Sequence, residues 1–104
     1  MRRDVFQAIS DPTRREIIGV LSARPLNLNS VADQFEISRP AISKHIKILT
    51  ECGLVVIKQE GRERYCIAQL ETLDHVSKWI EQYRGFWTGK LDALESHLSK
   101  KEKM

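Results

Sequence analysis

The sequence predicts a mainly α-helical chain interrupted by one small β-hairpin, and three observations carry that expectation. Apolar residues recur at spacings of three and four over much of the N-terminal half, the period of a helix face. Between residues 54 and 70 the pattern changes to two β-rich runs, LVVIKQ and RYCIAQL, separated by EGRE, which reads as two strands joined by a turn at Gly61. From about Thr72 to Lys100 the helical period returns and is sustained.

Taken in order, Val5, Phe6 and Ile9 form the apolar face of a first short helix that ends near Ser10. Asp11 and Pro12 restart the chain. Asp11 fits as N-cap with Pro12 at the first helical position, while Thr13 with Glu16 three residues on forms a competing capping box. This second helix runs through Ile17, Ile18 and Leu21 and stops before Pro25. Leu26 and Leu28 bracket Asn27 in a brief extended piece, and Asn29 or Ser30 opens a short helix carrying Val31, Ala32 and Phe35. A tight connection at Glu36 and Ile37 follows. Helix pairs joined this closely usually place glycine where Glu36 stands, and a left-handed backbone there would cost a non-glycine residue roughly 1 kcal/mol.

The next helix, expected over about 38–52, has a marked start and stop. Ser38 can accept from a free N–H of the first turn, Pro40 falls where a missing N–H costs nothing, and Gly53 supplies a left-handed closing residue. Ile42, Ile46 and Leu49 share a buried face with help from Ala41 and Ile48, which leaves Arg39, Ser43, Lys44, Lys47 and Thr50 on the other side. Three cations and two hydroxyls, with no carboxylate before Glu51, make either an ordinary solvated face or one suited to a groove of phosphates and base edges. The wing-like hairpin at 54–70 carries Arg62 and Arg64 at its tip. Two helices joined by a short turn and followed by a cationic hairpin form a winged helix-turn-helix. Its second helix enters a major groove of double-stranded DNA while the wing reaches the backbone beside it.

The terminal helix, expected over about 72–100, presents Leu73, Val76, Ile80, Tyr83, Trp87, Leu91, Leu94 and Leu98 at successive spacings of 3, 4, 3, 4, 4, 3 and 4, a heptad seam with one four-residue stutter. About 28 helical residues extend ~42 Å, longer than a domain of this size covers by itself. A second copy of the chain is the simplest partner, and a homodimer is expected. Gly85 and Gly89 flank Phe86 and Trp87, where the helix bends or lets another chain approach closely.

Composition agrees. A chain of 104 residues with 41% hydrophobic content reads as a single domain, residues 1–104, with a modest core of its own. No apolar run near ~20 residues lacks charges, and MRRDVFQAISDPTRRE shows two arginines without the apolar stretch of a secretory signal. The expected setting is the cytoplasm, with no membrane contact. The net charge of +3 is unevenly placed: residues 38–65 hold six basic side chains against three acidic ones, and basic and acidic groups balance elsewhere. That asymmetry suits a surface facing DNA.

With these residues in view, the chain resembles the arsenic-repressor (ArsR/SmtB) family of bacterial winged-helix repressors. SDPTRREII, SRPAISKHIKILTECGLV, EGRERYCIA and YRGFWTGKLDALESHL carry the likeness over nearly the whole length. The resemblance implies a homodimer built from first and last helices, so that Val5, Phe6 and Ile9 join the terminal seam as dimerisation residues. It also implies binding to an inverted-repeat operator and repression of transcription, with Ser38, Arg39, Pro40, Ser43 and His45 at the positions that approach DNA. Lys44, Lys47, Arg62 and Arg64 complete the expected DNA-binding set. Many relatives sense metals. Their thiolate site needs a Cys pair one residue apart before the recognition helix, and NSVADQFEIS has no cysteine. Their zinc site needs an Asp and a His two apart in the last helix, with a further His and acid about three turns on. Here Asp74 and His75 are adjacent, and Glu95 with His97 stands at the wrong separation. No metal and no cofactor are expected.

The remaining candidates each have two readings. Cys52 and Cys66 lack paired-ligand spacing and read as small buried hydrophobes, or as a redox switch. His45 borders the buried side of its helix and is either packed or in contact with a phosphate; His75 and His97 read as surface residues. Tyr83, Phe86 and Trp87 form core or line a small-molecule pocket at the dimer interface. With no GxxxxGK[ST], HExxH or GxSxG motif the chain is not expected to be an enzyme. The alternatives to an operator-binding repressor are a winged helix that meets an acidic protein partner, and a repressor of this fold that senses oxidant or a small molecule.

Overall fold

The computed structural model describes residues 4–102; Arg2 and Arg3, weighed above as part of a leader, lie outside the described residues. The chain divides into two compact units, the first through Asp74 and the second from His75.

The first unit opens with α1 (Val5–Ala8), a single turn capped by Asp4, whose carboxylate accepts from the Gln7 N–H at 3.0 Å. Four residues are far too few for a helix to persist unaided. Its C-terminal carbonyls are taken up from α2 (Pro12–Ala23): Arg14 donates to Gln7 O at 3.1 Å and Ala8 O at 2.8 Å, and Arg15 to Ile9 O at 2.7 Å. Asp11 prevails over Thr13 as the cap of α2, accepting from the Arg14 N–H at 3.0 Å, with Pro12 in the first turn. Ile17, Ile18 and Leu21 are buried, and the helix ends before extended Arg24, ahead of Pro25.

The extended piece expected around Asn27 is a strand, β1 (Leu26–Asn27), but α3 (Leu28–Ala32) starts earlier than Asn29 or Ser30, because the Asn27 carboxamide itself accepts from the Ser30 N–H at 2.8 Å. The connection to the next helix is not a tight turn at Glu36 and Ile37 but covers residues 33–38. No residue other than glycine has positive φ among the described residues, so Glu36 carries no left-handed strain. Single-turn hydrogen bonds, Gln34 N–H to Val31 O and Phe35 N–H to Ala32 O, unwind α3 and spread the reversal over several residues.

Helix α4 (Arg39–Glu51) is closed at both ends. The Ser38 hydroxyl accepts from the Ala41 N–H at 3.3 Å. At the other end Gly53, with φ of 79°, donates to Thr50 O at 3.1 Å while Leu54 donates to Leu49 O at 3.0 Å, the paired bonds of a Schellman stop. Strands β2 (Val55–Glu60) and β3 (Glu63–Ala68) follow, paired antiparallel with Glu60 opposite Glu63. Gly61, with φ of 62°, is the first residue of the two-residue loop, where only glycine is unstrained. The sheet has three strands, not two: β1 pairs with the other edge of β3, Leu26 opposite Cys66 and Asn27 opposite Tyr65, giving the order β1-β3-β2. That pairing satisfies part of a β3 edge that a bare hairpin would leave open. Ile17, Val31, Ile42, Leu49, Leu54, Val55 and Cys66 form the fully buried core. A 3-10 turn, Leu70–Leu73, ends the unit, and the Thr72 hydroxyl donates to Gly53 O at 2.6 Å.

From Asp74, the last residue of the first unit, the helix α5 (Asp74–Glu102) of 29 residues runs on as the second unit. It runs unbroken through Gly85 and Gly89, and among the described residues nothing beyond the adjoining stretch of the helix itself lies within 4 Å of where a Cβ would stand on either. Trp79, Ile80, Tyr83, Phe86, Trp87, Leu91, Leu94 and Leu98 are all exposed, Trp87 at 61%.

Candidate nucleic-acid interface

In α4 the period of the sequence becomes two physical faces. Ile42, Ile46 and Leu49 are buried, whereas Arg39, Pro40, Ser43, Lys44 and Lys47 are exposed, as is the capping Ser38. Apolar burial at three positions decides which face of the helix is turned outward, to within small rotations. The cations are therefore outward as a consequence of the core.

The hairpin adds to this face through its register. In a strand alternate residues share a side, so Arg64 lies on the same side of β3 as buried Cys66, with Ile57 opposite Cys66 on β2. This side and α4 border one open cleft of about 280 Å³, where Ser43, Lys47 and Thr50 meet Arg64 over a floor that includes Ile46, Ile57 and Cys66. Ser43, Lys47 and Arg64 were expected at the site and are brought together; Arg62 is exposed in the loop beyond. Thr50 joins the cleft although only its place on the polar face had marked it, and its hydroxyl donates to Lys47 O at 2.7 Å. The nearby carboxylates are partly engaged: Glu63 accepts from Asn27 at 3.1 Å, and Glu60 stands 3.8 Å from Lys58, an exposed pair of small energetic weight.

His45 departs from the other members of the set. Its side chain is 22% exposed and its Nδ1 lies 3.4 Å from Arg14 Nη1 and 3.9 Å from an Asp11 oxygen. The packed alternative describes this nitrogen. Burial works against ionisation of Asp11, but the Arg14 N–H, the electrostatic pull of the neighbouring His45 and Arg14 side chains and the Thr13 N–H outweigh it and hold the carboxyl below its ordinary range. Asp11 and Arg14 belong to the surroundings of α4 and were not marked as such. Asp11 was visible only as a cap, and nothing local connects Arg14 with a histidine 31 positions away.

Cys52 and Cys66 are both buried and not joined in a disulfide. Burial pushes the Cys66 thiol up, against the pull of Arg64, which keeps it protonated and slow to react. Among the described residues no group of three or more His, Cys, Asp and Glu gathers to hold a metal ion. No helix among them is long and apolar enough to cross a membrane.

The dimerisation candidates also separate. Val5 is 6% exposed and so is spent within its own chain, Ile9 is half-buried and Phe6 is exposed. Leu73 and Val76 are half-buried, while Ile80, Tyr83, Trp87, Leu91 and Leu94 are exposed. Tyr83, Phe86 and Trp87 are not core of this chain. They stand on the α5 surface, Tyr83 against Trp79 at 5.2 Å and Phe86 edge-on to Trp87 at 5.7 Å.

Comparison with known proteins adds independent findings. Residues 11–56 match the sequence profile described as "Bacterial regulatory protein, arsR family". The transcriptional repressor SdpR of Bacillus subtilis is 34% identical over 77 residues, covering 74% of this chain and 86% of that protein. An ArsR-like transcriptional regulator from a Rhodococcus species is 35% identical, with a TM-score of 0.69 over 88% of this chain and 87% of that one. A homodimeric winged helix-turn-helix DNA-binding domain from Mycobacterium bovis, 18% identical, has a TM-score of 0.63 over 77% of each chain and shares the fold.

Proposed function

The chain belongs to the arsR family of bacterial regulatory proteins, and on that basis we propose that it is a homodimeric repressor that reads an inverted-repeat operator in double-stranded DNA. The observation that carries this reading is α4: a buried apolar face forces Arg39, Ser43, Lys44 and Lys47 outward, beside a wing that contributes Arg64 to the same cleft. Ser38, Arg39, Pro40 and Ser43 stand at the helix N-terminus, where such helices meet base edges, and Lys44, Lys47, Arg62 and Arg64 are free to meet phosphates. Residues 1–104 act as one functional domain in the cytoplasm, with 38–52 as recognition helix, 54–70 as wing and 72–100 as dimerisation helix. Regulators of this kind are not enzymes, and we assign the chain no reaction and no cofactor.

The exposed apolar stripe of α5 supports the dimer. Eight large hydrophobic side chains on one helix are far more than isolated surface residues, and the fold neighbour from Mycobacterium bovis is homodimeric. A two-fold places the α4 helices in successive major grooves about 34 Å apart.

Selection of bound duplexes from a random DNA pool tests this. The expected product is an inverted repeat with half-sites one helical turn apart. Failure to enrich any sequence, by a protein that still dimerises, would overturn the reading and favour a winged helix that contacts an acidic protein.

A further inference from the structure

We infer that Arg14 is a positioning residue for DNA reading: its guanidinium sets α4 against α1 through His45, without touching DNA. The inference rests on α4 being the DNA-facing helix.

One side chain spans three elements. From α2, Arg14 Nε donates to Ala8 O at 2.8 Å and Nη2 to Gln7 O at 3.1 Å, both at the C-terminal end of α1, while Nη1 stands 3.4 Å from His45 Nδ1 on α4. A guanidinium only donates, so in this contact Nδ1 stands as the acceptor. The Arg14 backbone is itself pinned, its N–H donating to Asp11 at 3.0 Å. His45 lies between Lys44 and Lys47, two of the cations turned outward.

Apolar packing of Ile42, Ile46 and Leu49 holds α4 in place but is non-directional and tolerates small rotations. A hydrogen bond from a fixed donor is directional. The Arg14–His45 contact thus sets the rotation of the helix at the point where its cations leave the surface, and relates it to α1, the element expected to meet the other protomer. Lysine cannot replace this arrangement, because one ammonium does not reach acceptors on two elements in the plane of a fork.

The test uses the full chain and a labelled duplex taken from the selected pool, with R14K, H45A, H45N and K47A compared over a salt series at a temperature where circular dichroism shows each variant folded. R14K and H45A are expected to weaken binding roughly tenfold, with a salt slope equal to that of the unsubstituted protein, because no phosphate contact is lost. H45N, which keeps an acceptor near the Nδ1 position, restores most of the affinity. K47A lowers the slope by about 0.9 and marks what a direct phosphate contact looks like. Unchanged affinity in R14K, or a slope in H45A that falls as K47A does, would overturn the inference. If R14K does not stay folded, H45A against H45N decides, since neither substitutes the side chain that bonds to Gln7 and Ala8. Amide exchange at residues 7–9 in the DNA-free protein reads the junction separately: H45A, remote from α1 in sequence, speeds it, and unchanged exchange overturns the coupling. If no duplex binds the unsubstituted protein, the DNA reading fails, and exchange still decides whether the junction exists.

Discussion

Helices α4 and α5 are both amphipathic, and they satisfy their apolar faces in opposite ways. In α4, 13 residues long, Ile42, Ile46 and Leu49 are buried, and both ends are capped by neighbouring residues of the same chain. In α5, 29 residues long, every large apolar side chain from Trp79 to Leu98 is exposed. Surface pairs such as Arg84 with Glu81 at 3.2 Å and Lys90 over the Phe86 ring at 4.8 Å add only modest support. Helix α4 thus buries its apolar face within its own chain, whereas the described residues leave the apolar face of α5 uncovered. On the proposed function, binding geometry and assembly fall to separate parts of one short chain.

The contrast can be broken most severely in α5. Leu91→Asp puts a charge into the proposed seam, and sedimentation should show monomers. Operator affinity should fall by about 100-fold or more, since each chain then engages a single half-site without the avidity of the pair. Its melting temperature should also lose its dependence on protein concentration. In α4 the corresponding change, Ile42→Ala, acts within the protomer: denaturant unfolding should show a loss of about 2–5 kcal/mol, in dimer and monomer alike.

Smaller changes sharpen the comparison. Lys47→Ala removes one outward cation and no core contact, so melting should stay within about 0.5 kcal/mol of the original. Binding should weaken similarly on all duplexes, with a flatter salt dependence measured by anisotropy. Arg39→Ala should also relax sequence preference in a repeated selection. The mildest effect is expected at Asp11→Ala, which removes a helix cap and costs about 1 kcal/mol near neutral pH. Because folding lowers the Asp11 pKa from its ordinary 3.8, this stability is present above that value and is lost as the pH falls through the folded pKa. Unfolding curves of the two proteins should therefore converge in acid.

What could be read in the sequence was what is settled within three or four residues. Ser38 as cap, Gly53 as stop and Gly61 in the turn each answer a local backbone requirement, and the Ile42, Ile46, Leu49 spacing defines a face before any partner is known. Asn27 escaped as a cap because Asn29 and Ser30 have the same chemistry, and only the folded backbone distinguishes them. Other features depend on segments far apart in the chain, as Leu26 opposite Cys66 and Arg14 beside His45 do. Periodicity carries no information about such meetings. Val5 was placed in the dimer seam for a similar reason: its face was legible, but the depth to which it is buried was not.

The two-residue loop at Gly61 has a consequence for how this fold can vary. With Glu60 fixed opposite Glu63, adding one residue to each strand beyond Cys66 would turn the position now held by Arg64 to the far side of the sheet and bring its neighbour into the cleft. Only additions of two per strand keep the cation on the side of α4, and each lengthens the hairpin by roughly 6–7 Å. On the proposed function the reach of the wing is therefore a stepped quantity, and a lengthened hairpin should meet DNA at discrete distances from α4.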